Sequence, residues 1–367
     1  MERSIKMKKS LSMLLALTMI VSLFTACASQ TDQQANAGGG AGTDTDSEVS
    51  MADYYKGKTI YFSSNEKPGQ DATNEGMLIQ PYMAEYTGAN VVLQDKRGDA
   101  GVEGINYVYG RDGSAGLEIG YSPLTNFVLN YITEAAGVTY EPDGFEFLGG
   151  VSKEHYMLLV DENSKYTSVE ELQAADSVVM AGTSAQGPIA LSTMSAAEML
   201  GLNAQVITGY STNELLRAVM SGEIDACCVP THMALAQDTG IILCVLAKER
   251  ETCAPDVPTI FEVCPAIADD SALMDLLDLW DVQLRMSSIM YCAPGTPAEN
   301  VEFLRGVVDY LSQQQQYLED ASKVHQMTVT SADFMTGEEV ETAIRDLMAQ
   351  KDEISKTFHD LIDKYRI

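Results

Sequence analysis

From residue 58 onward, short apolar runs alternate with longer stretches of helical repeat. Residues 58–62 read as a strand. Residues 73–86 read as a helix, with Met77, Ile79, Met83 and Tyr86 apolar and Gly88 as its stop. Strands are predicted over 90–94, 117–121, 145–151 and 156–160. A helix over 167–174 has Glu170 three residues after Thr167, the spacing of a capping box. A buried strand over 178–181 leads to a helix over 188–200 that Gly201 stops. Strands over 204–207, 224–229 and 241–247 follow, with a helix over 213–220 between the first two. One long strand is predicted over 283–293, then polar-faced helices from Pro297 to the end, where 313–316 reads as solvated surface. No internal repeat is evident. This alternation predicts an α/β fold with parallel sheets flanked by helices.

The pattern before residue 58 differs. Arg3, Lys6, Lys8 and Lys9 precede an apolar run over 11–26. The run is shorter than the about 20 residues of a membrane span, and a basic start before it marks a signal peptide. It ends Leu23-Phe24-Thr25-Ala26-Cys27, similar to the lipobox of bacterial lipoproteins, with Phe24 where leucine is usual. An ordinary cleaved signal with an incidental Cys27 is the plainer alternative. Residues 28–52 are mostly Gly, Ser, Thr, Asp, Gln and Ala and read as a flexible tether. The expected organisation is a signal peptide over 1–26, a lipidated Cys27 with its tether over 27–56, and a folded body beyond, extracytoplasmic and anchored to the cell membrane by lipid.

Composition narrows the function classes. The 46% hydrophobic content supplies cores for about two domains in 367 residues. The net charge of −30 is dispersed, and no basic cluster suggests nucleic-acid binding. Cys227, Cys228, Cys244, Cys253, Cys264 and Cys292 lack zinc spacing and read mainly as small buried apolar residues; Cys253 with Cys264 could form a disulfide in an exported protein. His155, His232, His325 and His359 are dispersed and form no metal or catalytic motif. Residues 182–187 are not a nucleophile elbow. No enzyme, metal or cofactor is expected.

In open α/β sheets, ligands bind beyond the carboxyl ends of strands, where helix N-termini offer unpaired N–H groups. Two strand-to-helix turns combine Gly, small polar residues and Pro: residues 63–73 and residues 182–188. Such turns can aim several N–H groups at a carboxylate.

Pro68-Gly69 with Pro81, Glu85 and Gly88, the run over 95–101, and Asp112-Gly113 resemble motifs of the extracytoplasmic receptors of tripartite tricarboxylate transporters, the Bug family. So do Tyr210 with Glu214-Leu215-Leu216 and the run over 221–225. Pro255-Asp256-Val257-Pro258-Thr259 and Ala293-Pro294-Gly295-Thr296-Pro297 are the most specific. The resemblance runs over about 58–358. It implies a two-lobed periplasmic-binding-protein fold, with one lobe over 57–155 plus 281–367 and the other over 156–280, and a cleft that closes on a small carboxylate. Gly69, Gln70, Asp71, Ala72 and Thr73 would contribute from one lobe, and Thr183, Ser184, Ala185, Gln186, Gly187 and Tyr210 from the other. Tyr121, Ser122 and Thr125 would line the wall. The implied partners are integral membrane transporter subunits, and the receptor is expected to be a monomer.

The chain departs from the family where specificity is set. Gly69-Gln70-Asp71 replaces a Gly-rich run, and Ala72-Thr73 a Ser/Thr-Asp pair; Thr73 can still cap the following helix. Asp71 places an acid in an anion-binding turn. Either its side chain points away, or the ligand carries an amine. Tricarboxylates are therefore not supported. A solute sensor that signals to a membrane partner, and a receptor for another transporter class, remain alternatives.

Overall fold

The computed structural model describes residues 50–65, 71–96, 98, 101–284, 287–325 and 327–367. The signal segment, Cys27 and most of the tether lie outside them, as do Pro68, Gly69 and Gln70. None of the described helices is long and apolar enough to cross a membrane.

The first half of the chain builds β1 (Thr59–Ser64), α2 (Asp71–Thr87), β2 (Asn90–Asp95), α3 (Val102–Tyr109), β3 (Glu118–Pro123), α4 (Leu124–Ile132) and β4 (Glu146–Ser152), after a short α1 (Met51–Tyr55). Next come β5 (Tyr156–Asp161), α5 (Val169–Gln173), β6 (Val178–Ala181), α6 (Pro188–Met199), β7 (Ala204–Ile207) and α7 (Thr212–Met220). They are followed by β8 (Cys227–Pro230), α8 (Thr231–Leu235), β9 (Gly240–Val245), α9 (Ile260–Val263) and α10 (Ser271–Leu284). The last part holds β10 (Ser288–Cys292), α11 (Ala298–Gln313), α12 (Gln315–Val324), β11 (Met335–Thr336), α13 (Gly337–Ala349) and α14 (Lys351–Tyr365).

The first sheet has the order β11-β4-β10-β3-β1-β2. Strands β2, β1 and β3 are parallel, whereas β10 runs antiparallel to β3 and β4. In the second sheet β5 lies between β8 and β9, antiparallel to both, and β6 pairs with β7 in parallel. A bridge from Met180 to Ala226 ties these two pieces together. The sheets are thus mixed, not parallel as the alternation predicts. The return strands arrive by loops and by α10, which the pattern does not separate from a strand.

That last point is a specific correction. Residues 283–293 are not one strand: α10 ends at Leu284 and β10 starts at Ser288. Apolar residues dominate the buried sides of both, and no Gly or Pro stands between them, so periodicity alone cannot divide them. The capping box near 167 is also displaced. Ser168 is the N-cap, its hydroxyl accepting from the Glu171 N–H, while Glu171 accepts from the Thr167 N–H at 2.7 Å.

One core lies under α2, α11 and α12 around Phe62, Ile79, Leu304 and Tyr317. A larger one starts on the opposite face of the first sheet, where Phe127 stacks among Tyr140, Phe145, Phe147 and Tyr291. It runs on without a break through α4, α6 and α10 to the second sheet. Trp280, fully buried, meets Tyr156 of β5 on one side and Phe358 of α14 on the other. Cys227, Cys228, Cys244 and Cys292 are buried free thiols, and burial raises the thiol of each. Cys253 and Cys264 are free as well, so they form no disulfide here.

The chain passes between the two sheets at residues 153–155 and enters β10 through Ser287, and the two places touch. The hydroxyls of Ser152 and Ser287 are 2.8 Å apart, and the Ser287 N–H donates to the Ser152 carbonyl at 3.0 Å. A third passage is Gln350, between α13, which packs on β4, and α14, which packs on α6. The end of α14 is fastened there. Lys364 and Tyr365 both hold Glu198, each at 2.6 Å, and the Ile367 N–H donates to Val206 at 3.2 Å.

Candidate functional site

The turn from β6 into α6 is the better defined of the two expected turns. The Gly187 N–H closes it on the Ser184 carbonyl at 2.9 Å, and the Gly209 N–H from the β7 loop braces the Thr183 carbonyl at 2.5 Å. Gly187 is the N-cap of α6 and has no side-chain cap; Pro188 follows with no N–H to place. The Leu191 N–H already reaches the Gly187 carbonyl, so Ile189 and Ala190 present the open amides of the helix start. Gly182 makes this geometry reachable. A Cβ there would stand 2.5 Å from Ala190 Cα, so only glycine lets strand and helix approach this closely. Gln186 reaches across to the end of α4, donating to the Thr133 carbonyl at 3.1 Å. Tyr210 is half-buried in a separate cavity of about 660 Å3, its hydroxyl 3.5 Å from Glu223.

On the first sheet, Gly69 and Gln70 lie outside the described residues. So do the side chains of Asp71 and Ala72, which are the first two residues of α2. Thr73 is therefore inside the helix and not its N-cap. Its buried hydroxyl shares a 2.9 Å hydrogen bond with Ser64 at the end of β1. Ser122 and Thr125 are buried at the β3–α4 junction, and Pro123 is the N-cap of α4, with no side-chain cap. Tyr121 faces the opposite side of the sheet from Ser122, under α2, and its hydroxyl donates to Glu75.

Two groups missing from the expected set, Ser63 and Asn65, stand at this crest beside Ser122. Ser63, Asn65 and Ser122 are buried, and the Ser63 hydroxyl and both amide atoms of Asn65 have no hydrogen-bond partner among the described residues. Ser122 was expected from the resemblance. Ser63 and Asn65 could have been found from β1 itself, which turns from apolar to polar over its last residues. Such groups cost about 1–3 kcal/mol each when unsatisfied, which makes this crest a place where a polar group would be held. All three residues are neutral.

The histidines are engaged elsewhere. His155 Nδ1 lies 2.5 Å from Glu251, His232 is paired with Glu154, and His325 Nε2 lies 3.1 Å from Glu75. All three rings are buried and turned onto carboxylates. Burial works against charge on His325, but the adjacent Glu75 carboxylate overrides it and raises its pKa to about 9. Burial likewise disfavours the charged Glu251, yet the contacts from His155 hold its carboxyl below the usual range. No group of three or more His, Cys, Asp or Glu suited to a metal ion occurs among the described residues.

No family model matches the sequence, and no curated protein is similar enough to be matched. Solved structures do align along nearly the whole folded body. The periplasmic binding protein BugD superposes with a TM-score of 0.62 at 17% identity, covering 85% of this chain and 100% of its own. The fold is that of the Bug-type solute receptors. A TctC solute-binding protein from Polaromonas gives 0.64 at 16% identity over 83% of this chain and 99% of its own. MatC from Rhodopseudomonas palustris, solved with bound malate, gives 0.60 at 15% over 81% and 99%.

Proposed function

We propose that the chain is an extracytoplasmic receptor that captures a small organic carboxylate and presents it to a membrane transporter of the tripartite tricarboxylate type. The observation that carries this reading is the uncapped start of α6 at Ile189 and Ala190, set by Gly182 and Gly187. It supplies two backbone donors and the positive end of a helix to an anion, with no lysine or arginine required. The reading draws support from the malate held by a protein of the same fold. It is a binding reading and not a catalytic one, in keeping with the solute-binding proteins that share the fold. The lobes we propose are 57–155 plus 281–367 and 156–280, with α14 crossing over to pack on the second.

Calorimetric titration with mono- and dicarboxylates, amino acids and neutral amides tests this. At least one carboxylate-bearing compound is expected to bind with a Kd near 1 μM, about −8 kcal/mol, and its amide at least about 30-fold more weakly. Failure of every carboxylate and amino acid to bind would remove the proposal. The same panel on Asp71→Asn assigns the ligand's other end. Tighter binding fits a plain carboxylate facing Asp71, weaker binding an amine, and unchanged binding takes Asp71 out of the site.

Anchoring through Cys27 belongs to the same proposal. Cys27→Ala is expected to move the protein from the membrane to the soluble fraction on cell fractionation. Continued sedimentation with membranes would rule out the lipid anchor. Stable anchoring takes more than one acyl chain.

A further inference from the structure

Between α10, β11, α13 and α14 the surface opens into a groove of about 970 Å3, separate from the turns above. Its floor is apolar, formed by Leu276, Leu279, Ala343, Leu347 and Ile354. Its rim is acidic. Asp278 is paired with Lys248 and Glu338 with Arg305, and Glu339 is committed to the Thr336 helix cap. Asp275, Asp346 and Glu353 also stand on the rim, and none has a cation partner among the described residues. Arg345 stands near the same rim and is turned onto Thr342, to which it donates at 3.0 Å. The 14 residues of α10 make one wall about 21 Å long, room for nearly four helical turns.

We propose that this groove receives a basic amphipathic helix from a protein partner. Apolar anchors spaced i, i+3 or i+4 and i+7 would meet the floor, and lysines or arginines flanking that stripe would meet Asp275, Asp346 and Glu353. Charge selects this occupant. The rim repels an anionic lipid surface and repels a second copy of this acidic chain. It also repels the chain's own tether, in which Asp32, Asp44, Asp46 and Glu48 stand without a single Lys or Arg between residues 28 and 49.

The test uses the full mature chain and a labelled 14-residue leucine–lysine peptide with one apolar stripe. A scrambled peptide of the same composition is the control, and anisotropy is read at physiological salt. The striped peptide is expected to bind at least about 10-fold more tightly than the scrambled one. The triple variant Asp275→Lys/Asp346→Lys/Glu353→Lys, whose changes are all at exposed positions, is expected to weaken it about 30-fold. Equal binding of both peptides, or no effect of the triple variant, would overturn the proposal, because the attraction would then be that of the acidic surface at large. Three other results would assign the groove to a different occupant and also overturn it. These are binding to phosphatidylglycerol vesicles that the triple variant alters, a wild-type dimer in sedimentation that the triple variant abolishes, and tighter peptide binding after deletion of residues 28–49.

Discussion

Replacing His325 with leucine is expected to destabilise the protein by about 3–5 kcal/mol, among the largest effects of any single change in the chain. The substitution removes the cation 3.1 Å from Glu75 and leaves that carboxylate almost wholly buried, with the Tyr121 hydroxyl as its remaining partner. Removing both charges should be far milder, so Glu75→Leu/His325→Leu is expected to recover most of the loss in urea unfolding. A double variant no more stable than the single one would show that the pair is not the cause. The pH dependence supplies a second reading. The folded-state pKa of about 9 lies above the unfolded value of about 6.5. The contribution of His325 is therefore complete below pH 6.5 and is lost as pH rises towards 9, on the order of 3 kcal/mol in all. The wild type should lose stability across that window, and His325→Leu should be flat there.

Gly182→Val is expected to lower affinity for the bound carboxylate about 100-fold. The added side chain begins 2.5 Å from Ala190 Cα and 2.9 Å from Ala190 N, which are backbone atoms that cannot rotate away. The start of α6 must shift, and with it both open amides; hydrogen bonds to a charged acceptor contribute about 1.5–3 kcal/mol each. The cost in stability should be smaller, about 1–3 kcal/mol. Gly201→Ala is the control. Gly201 caps the far end of the same helix at φ +64° with nothing nearby, so alanine strains the backbone without touching the turn. Calorimetry should show normal affinity for Gly201→Ala. If the two variants lose affinity alike, the β6–α6 turn is not where the anion sits.

Much of the fold is legible in the chain. The parallel strands β1, β2, β3, β6 and β7 fall at apolar runs closed by Gly or by a helix start, and Gly182 to Pro188 reads directly as a strand-to-helix turn. The pattern conceals α4 and the end of α10. α4 reads Leu-Thr-Asn-Phe-Val-Leu-Asn-Tyr-Ile and is buried nearly all round, so it shows no face; α10 merges into β10 because no Gly or Pro stands between residues 271 and 292 to part them. The ion pairs of His155, His232 and His325 join residues 96, 78 and 250 positions apart, a proximity no local pattern encodes. At the site, the second turn was legible because its geometry is carried by glycine and proline. Ser63 and Asn65 were not singled out, because a polar residue at a strand end is ordinary until its partners are counted.

The passage at Gln350 has a mechanical consequence. The passages through Ser152 and Ser287 are bonded to each other and define a single seam, about which two rigid bodies could swing. The helix pair α13–α14 adds a strap. One end rides with β4, and the other is riveted to α6 and β7 through Glu198 and Val206. If the two lobes proposed above close on a ligand, the Gln350 joint must flex with them, and the strap would act as a spring that opposes or favours closure according to its stiffness.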